Sequence, residues 1–400
     1  MHETLAAEKQ PIAAVLDGAL AGAPITREDA CALMQASGEG LELLMQTAAA
    51  RRDALTGRTV TYSRKVFLPL TNLCRDTCGY CTFVRQPEDP LAHTMTPDEV
   101  LQVARAGERL GCKEALFSLG DKPELKYPAY RDRLARQGYR STLHYLAEMC
   151  ALVLRETNLL PHVNPGVMTA ADVAELREVS VSMGLMLEST SERLLRRGEA
   201  HFGCPDKVPR VRLETLQAAG EQRVACTTGI LIGIGETQEE RVDALFAIRA
   251  LHERHGQIQE VIIQNFRAKP DTAMRDRADA ELDDMCRTIA VARLVLGEIN
   301  VQAPPNLMPH EYGRYLAAGI NDWGGVSPLT RDFINPERPW PQIDALRKVC
   351  AEAGFELRER LALYPKYITR RLDFLPAAFK ERVATLTGPD GLVRHEAEAC

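Results

Sequence analysis

From Val66 to Gln302 the chain repeats one pattern: a short apolar run, a glycine-containing or polar break, then a longer helical stretch. The short runs read as strands over Val66–Leu70, Ala115–Leu119, Leu160–Asn164, Gly184–Glu188, Cys226–Ile232, Glu260–Asn265 and Glu298–Gln302. The stretches between them read as helices, among them Thr96–Leu110, Thr142–Glu156, Ala170–Ser180, Val211–Ala219 and Gln238–His255. Thr237 and Glu240 form a capping box at the start of the last of these. Strand–helix units in succession imply parallel strands with helices outside. So long a run predicts an α/β fold, a full or partial TIM-like (β/α) barrel, with its chemistry at the C-terminal strand ends. Period alone does not separate a short buried strand from buried helix, which leaves the strand count open by one or two. Residues 1–60 read as a helical extension, with a helix start at Thr26-Arg27-Glu28-Asp29. The barrel core is expected over 61–340 and a helical segment over 341–400.

Composition excludes several classes. Hydrophobic residues are 45% and charged residues 26% of the chain, as in ordinary globular proteins. The net charge is −6 and no basic block stands out, so nucleic acid is not an expected partner. No apolar run approaches the length of a membrane span, and the start Met1-His2-Glu3-Thr4-Leu5 lacks a signal-peptide layout. The expected location is cytoplasmic, where eleven cysteines stay reduced.

Three of those cysteines, Cys74, Cys78 and Cys81, stand in a C-x3-C-x2-C run directly after the first strand. Iron–sulfur clusters are held by cysteine thiolates, usually four. Three ligands on a four-iron cluster leave one iron open to a reactant, much as catalytic zinc sites keep an open position. Other readings compete. The i, i+4, i+7 spacing also makes one stripe of a helix. Structural zinc could add His93, although the spacing does not match paired zinc ligands. A disulfide is the third. The preceding strand and the polar Arg75-Asp76-Thr77 run favour a loop and hence the open cluster. The other eight cysteines, Cys204 included, are scattered and read as packing or surface residues.

Further polar groups fall where strands end. Gly120 permits close backbone approach, and the nearby carboxylates, Asp121 or Glu124, could meet an ammonium group. Glu188 closes an apolar run and is expected to point into the barrel mouth, where it could accept hydroxyl hydrogen bonds; Ser189 or Thr190 could equally cap a following helix. The fifth strand runs Gly229-Ile230-Leu231-Ile232-Gly233-Ile234-Gly235-Glu236, which is not a dinucleotide fingerprint. Amides and other polar groups gather at Gln264-Asn265, at Gln302 and over Gly319–Pro328. Asn321 and Asp322 are expected to face substrate, and Gly324-Gly325 to make a turn.

The cysteine spacing, with Tyr80 before the last cysteine, resembles the signature of the radical S-adenosylmethionine (SAM) superfamily. That resemblance implies a [4Fe-4S] cluster on Cys74, Cys78 and Cys81 whose open iron is chelated by SAM. It also implies reductive cleavage of SAM to methionine and a 5′-deoxyadenosyl radical, using a low-potential electron donor. It assigns Tyr80, Gly120, Asp121, Glu188 and Gly233 to SAM, the last within a G-x-I-x-G-x-x-E pattern beside adenine. The departures are Leu119-Gly120-Asp121 for the usual Gly-Gly-Glu, and Leu231 for isoleucine. Residues 66–341 further resemble the first-subunit family of FO synthase, the 7,8-didemethyl-8-hydroxy-5-deazariboflavin synthases. Thr71–Asp76, Asn164–Met168, Glu260–Phe266 and Asn321–Pro328 carry the likeness. It implies a lyase that closes the ring of a 5-amino-5-(4-hydroxybenzyl)-6-(D-ribitylimino)-dihydrouracil adduct and releases ammonia, with the second synthase subunit as a candidate partner. Asn321 and Asp322 would then be catalytic. The alternatives are the partner subunit's reaction, joining tyrosine to 5-amino-6-ribitylaminouracil, and a non-catalytic iron–sulfur or zinc module.

Overall fold

The computed structural model describes residues 12–309 and 311–394. Eight parallel strands close a barrel: β1 Thr59–Thr71, β2 Glu114–Leu119, β3 Leu160–Asn164, β4 Ser182–Gly184, β5 Cys226–Ile232, β6 Ile258–Asn265, β7 Asn300–Gln302 and β8 Asp322–Val326. A ninth strand, β9 Glu356–Glu359, adds outside the ring, parallel to β1. The length of β1 makes both possible. Residues 59–62 pair with β9, 61–64 with β8, and 65–71 with β2.

Side chains alternate along β1 as strand geometry requires. Val66, Leu68 and Leu70 are fully buried under the outer helices, while Lys65 and Phe67 turn into the lumen. The helix Pro97–Arg109 comes close to β1 because Gly107 has no Cβ; one there would press into Val66. Threonine caps recur: Thr96 with Glu99, Thr169 with Asp172 and Thr237 with Glu240 each form a reciprocal capping box. Each starts a helix directly after the loop that leaves a strand's C-terminal end, so the loops are pinned where the site lies.

Two expectations need correction. Gly324-Gly325, expected to make a turn, lie within strand β8, and Gly325 lets the Lys65 stem cross it, where a Cβ would overlap that side chain. The segment expected to be helical over 341–400 contains β9, because Glu356–Glu359 find an open edge on β1. At the other end, residues 12–20, Arg27–Leu33 and Glu39–Thr56 are helical. The last of these packs on the helix Leu282–Leu296, and its buried Arg52 donates to the carbonyls of Leu316 and Ile320. No described helix is long and apolar enough to cross a membrane.

Candidate active site at the C-terminal mouth of the barrel

Cys74, Cys78 and Cys81 line one chamber of about 300 Å³ at the C-terminal ends of the strands. Their loop is neither helix nor strand, which removes the helical-stripe reading, and the cysteines are free thiols. His93 lies elsewhere, paired with Glu99 at 3.2 Å on the surface, so it is not a fourth ligand.

The loop is held from several sides. The Arg75 amide donates to the Asp121 carbonyl at 3.0 Å, and the Gly79 amide to the Ala200 carbonyl at 2.8 Å. Gly120 runs directly against Leu73 and Cys74, where any side chain would overlap the Leu73 carbonyl. Backbone amides of Asp121 and Asp76 point at Cys74 Sγ, at 3.1 and 3.4 Å. Burial pushes the Cys74 thiol up to about 12. A sulfur that is costly to ionise alone, yet ringed by N–H donors, suits a metal-bound thiolate. Cys204 lies 3.8 Å from Cys78, sulfur to sulfur, and its thiol donates to Cys78 and holds that group's pKa down. Reading Cys204 as a packing residue missed this proximity, which rests on a sequence separation of 126 residues.

The residues assigned to SAM fall into two groups. Tyr80, Gly120, Asp121 and Glu188 line the cysteine chamber. Asp121 receives the Val167 amide and the Lys122 ammonium, both at 2.9 Å. Gly166, at φ +84°, leaves the room this carboxylate occupies. Glu188 adopts φ +64°, rare for a residue with a Cβ, and so turns its carboxylate to the mouth. There it accepts from Lys207, Tyr80 and His201. Burial opposes its ionisation, but Lys207, His201 and Arg212 outweigh that and hold it well below the usual range. Gly233, by contrast, does not line the chamber. It donates to Glu236 at 2.8 Å in the turn after β5, while Leu231 of the same strand faces the cavity.

Asn321 and Asp322 are corrected outright. Both sit at the N-terminal end of β8, at the barrel floor and away from the cysteines. Asn321 receives Arg293 at 2.5 Å and the Val301 amide at 3.0 Å, and donates to Asn300 at 2.7 Å. Asp322 is fully buried and chelated by Arg360. Polar residues clustered in sequence were expected at a strand's end; here they begin the strand, and parallel strands carry their starts to the opposite face.

Below the cysteine chamber lies a second of about 250 Å³, sharing walls with it at Ser118, Asn164, Met186, Thr227, Ile262 and Gln264. Its floor carries Lys65, Glu114, His162, Glu260 and Arg360, none anticipated as site residues. Barrel interiors are ordinarily filled by branched aliphatic side chains. A signal for these existed: each except Arg360 is an ionisable residue within or beside an apolar strand. Near the top, both amide atoms of Asn265 are buried without a partner.

Residues 68–248 match the family described as the Radical SAM superfamily. The chain is 52% identical to a Streptomyces avermitilis protein named FO synthase over 385 residues, 94% of this chain and 45% of that one. It thus spans about half the length of such relatives. It is 47% identical over 335 residues to the 7,8-didemethyl-8-hydroxy-5-deazariboflavin synthase of Methanopyrus kandleri, 84% of this chain and 100% of that one. Among solved structures, the FeFe-hydrogenase maturase HydG of Carboxydothermus hydrogenoformans superposes with TM-score 0.72 at 18% identity, covering 96% of this chain and 83% of that one, a likeness of fold alone. With the cysteine chamber at the barrel mouth, these likenesses place the chain in the radical SAM superfamily, as a member of the 7,8-didemethyl-8-hydroxy-5-deazariboflavin synthase family.

Proposed function

We propose that this chain closes the deazaflavin ring: it takes the hydroxybenzyl adduct of ribityl-substituted dihydrouracil, removes hydrogen, and releases ammonia and 7,8-didemethyl-8-hydroxy-5-deazariboflavin. The observation that carries this is a cysteine chamber opening directly onto a polar lumen, in a chain that aligns along the full length of the Methanopyrus synthase.

The residues present fit a [4Fe-4S] cluster and SAM. Cys74, Cys78 and Cys81 would hold the cluster, and the two amides aimed at Cys74 Sγ would support a thiolate there. Asp121 would meet the amino group of SAM, and Glu188 with Tyr80 its ribose side, a reading supported by their shared place in the chamber wall. When bound, this pair supplies one-electron chemistry that removes a hydrogen atom from a held substrate. The protein's own part is positioning and exclusion of water. Asn265 offers an unpartnered donor and acceptor side by side, suited to a planar amide-bearing ring. Ile262 and Met186 wall the passage between chambers with groups that cannot hold water. A low-potential donor must feed the site, and the enzyme forming the adduct is the natural second component.

The test is anaerobic reconstitution, then incubation with SAM, reductant and adduct. A fluorescent deazaflavin and 5′-deoxyadenosine in step support the proposal. SAM cleavage that ignores the adduct would overturn it in favour of another radical SAM reaction.

A further inference from the structure

The floor of the lumen is the least expected part of this barrel. Lys65 pairs with Glu114 at 3.0 Å, and Ser63 also donates to that carboxylate. His162 bridges Ser182 at 2.7 Å and the Asn164 side-chain oxygen at 3.0 Å. Thr227 donates to Glu260 at 2.9 Å, and Arg360 reaches Glu260 at 3.3 Å as well as Asp322. Desolvated ions of this kind are costly, and hydrophobic replacements often pack as well. Their presence around an open cavity points to a ligand rather than to stability.

The charge balance says which ligand. Two cations, Lys65 and Arg360, face three carboxylates, Glu114, Glu260 and Asp322, all deeply buried or nearly so. Burial keeps His162 neutral near pH 7, its pKa pushed down to about 4. The floor therefore has no positive charge to spare for an anion. It has hydrogen-bonding capacity, since carboxyl and ammonium groups hold more sites than their pairings use. The Gln302 side-chain oxygen lines the same chamber, is buried, and has no partner. Such a surface satisfies hydroxyl groups, each both donor and acceptor, and repels a phosphate.

We infer that the lower chamber, floored by Lys65, Glu114, Glu260, Gln302 and Arg360, binds the uncharged polyhydroxyl chain of the substrate and rejects its terminal phosphate ester. This rests on the proposed function and deepens it. The ring system that reacts must lie beside the cysteine chamber, which leaves the unreactive ribityl chain to run down the lumen.

The test uses the reconstituted protein with SAM and follows deazaflavin fluorescence on titration. Three probes are compared: the ribityl product, its 5′-phosphate, and the same ring with methyl in place of ribityl. The inference expects the phosphate and the methyl analogue each to bind about tenfold or more weakly than the ribityl compound. Gln302→Leu should weaken the ribityl compound several-fold, on the order of one lost hydrogen bond, and leave the methyl analogue unchanged. Equal binding of the phosphate, or of the methyl analogue, overturns the inference while the ring-closing function stands. Failure of the ribityl product to bind also overturns the inference, while the turnover test with the adduct decides the proposed function separately.

Discussion

Arg360 grips Asp322 along its planar edge, Nε to Oδ2 at 2.6 Å and Nη2 to Oδ1 at 2.8 Å, with Thr61 also donating to the carboxylate. The pair joins the residue after β9 to the first residue of β8, so it ties the C-terminal segment to the barrel floor. Both side chains are buried, at 3% and 0% exposure. Neutralising Asp322 leaves the buried Arg360 with only its 3.3 Å contact to Glu260, short of its two-pronged partner. Asp322→Asn should therefore cost about 3–5 kcal/mol of stability, read by urea denaturation. Arg360→Met with Asp322→Leu and Glu260→Gln, which removes both carboxylate partners along with the cation, should recover much of it. A wild-type midpoint in Asp322→Asn would contradict this assignment.

Gly120 bears on cluster loading. The smallest side chain there overlaps the Leu73 carbonyl and crowds Cys74. Gly120→Ala should fold, yet take up little iron and sulfide on anaerobic reconstitution. Gly40→Ala, with open space around it inside the helix Glu39–Thr56, is the control. It should load fully and gain up to about 1 kcal/mol of stability.

His162 sets a pH dependence of stability. Burial lowers its pKa from 6.5 to about 4, against the pull of Glu114 and with Lys65 and Arg360 adding to the depression. The unfolded chain takes up this proton first as pH falls. The contribution is thus complete above pH 6.5 and is lost between 6.5 and about 4. Wild type should lose roughly 2 kcal/mol by pH 5 from this group. His162→Gln should flatten that window when denaturation is compared at pH 7, 6 and 5. Glu114, held at about 2 by Lys65 and its neighbours despite burial, loses its contribution lower, from 4.5 downward.

In the proposed site, Cys204 would bear on the potential of a cluster held by Cys78. Its thiol donates to Cys78 Sγ, and hydrogen bonds to ligand sulfurs favour the more electron-rich, reduced cluster. Cys204→Ala should shift the reduction potential negative, on the order of tens of millivolts, without loss of iron. Spectroelectrochemical titration followed by EPR measures this directly. An unchanged potential would show that the contact is only packing.

Much of the site was legible because its chemistry is local. Cys74, Cys78 and Cys81 fall within eight residues, so their spacing alone announces a shared centre. The strands that carry the loops alternate with helices whose threonine caps are visible three residues ahead of their acidic partners. Glu188 was expected at the mouth because it ends an apolar run, and it lines the chamber there. The pair Asn321–Asp322 was misplaced because a polar residue near a strand marks an end, but not which end.

The order of strands and helices, the cysteine loop and its family were determined by the linear pattern, since hydrophobic period and ligand spacing act over a few residues. Closure of the barrel decided the rest. It carried Cys204 to Cys78, Lys207 to Glu188 and Arg360 to Asp322 and Glu260. Such pairings depend on strand register and on which face each strand turns inward. Those are settled only when the whole ring packs, because a buried charge chooses its partner by proximity in space.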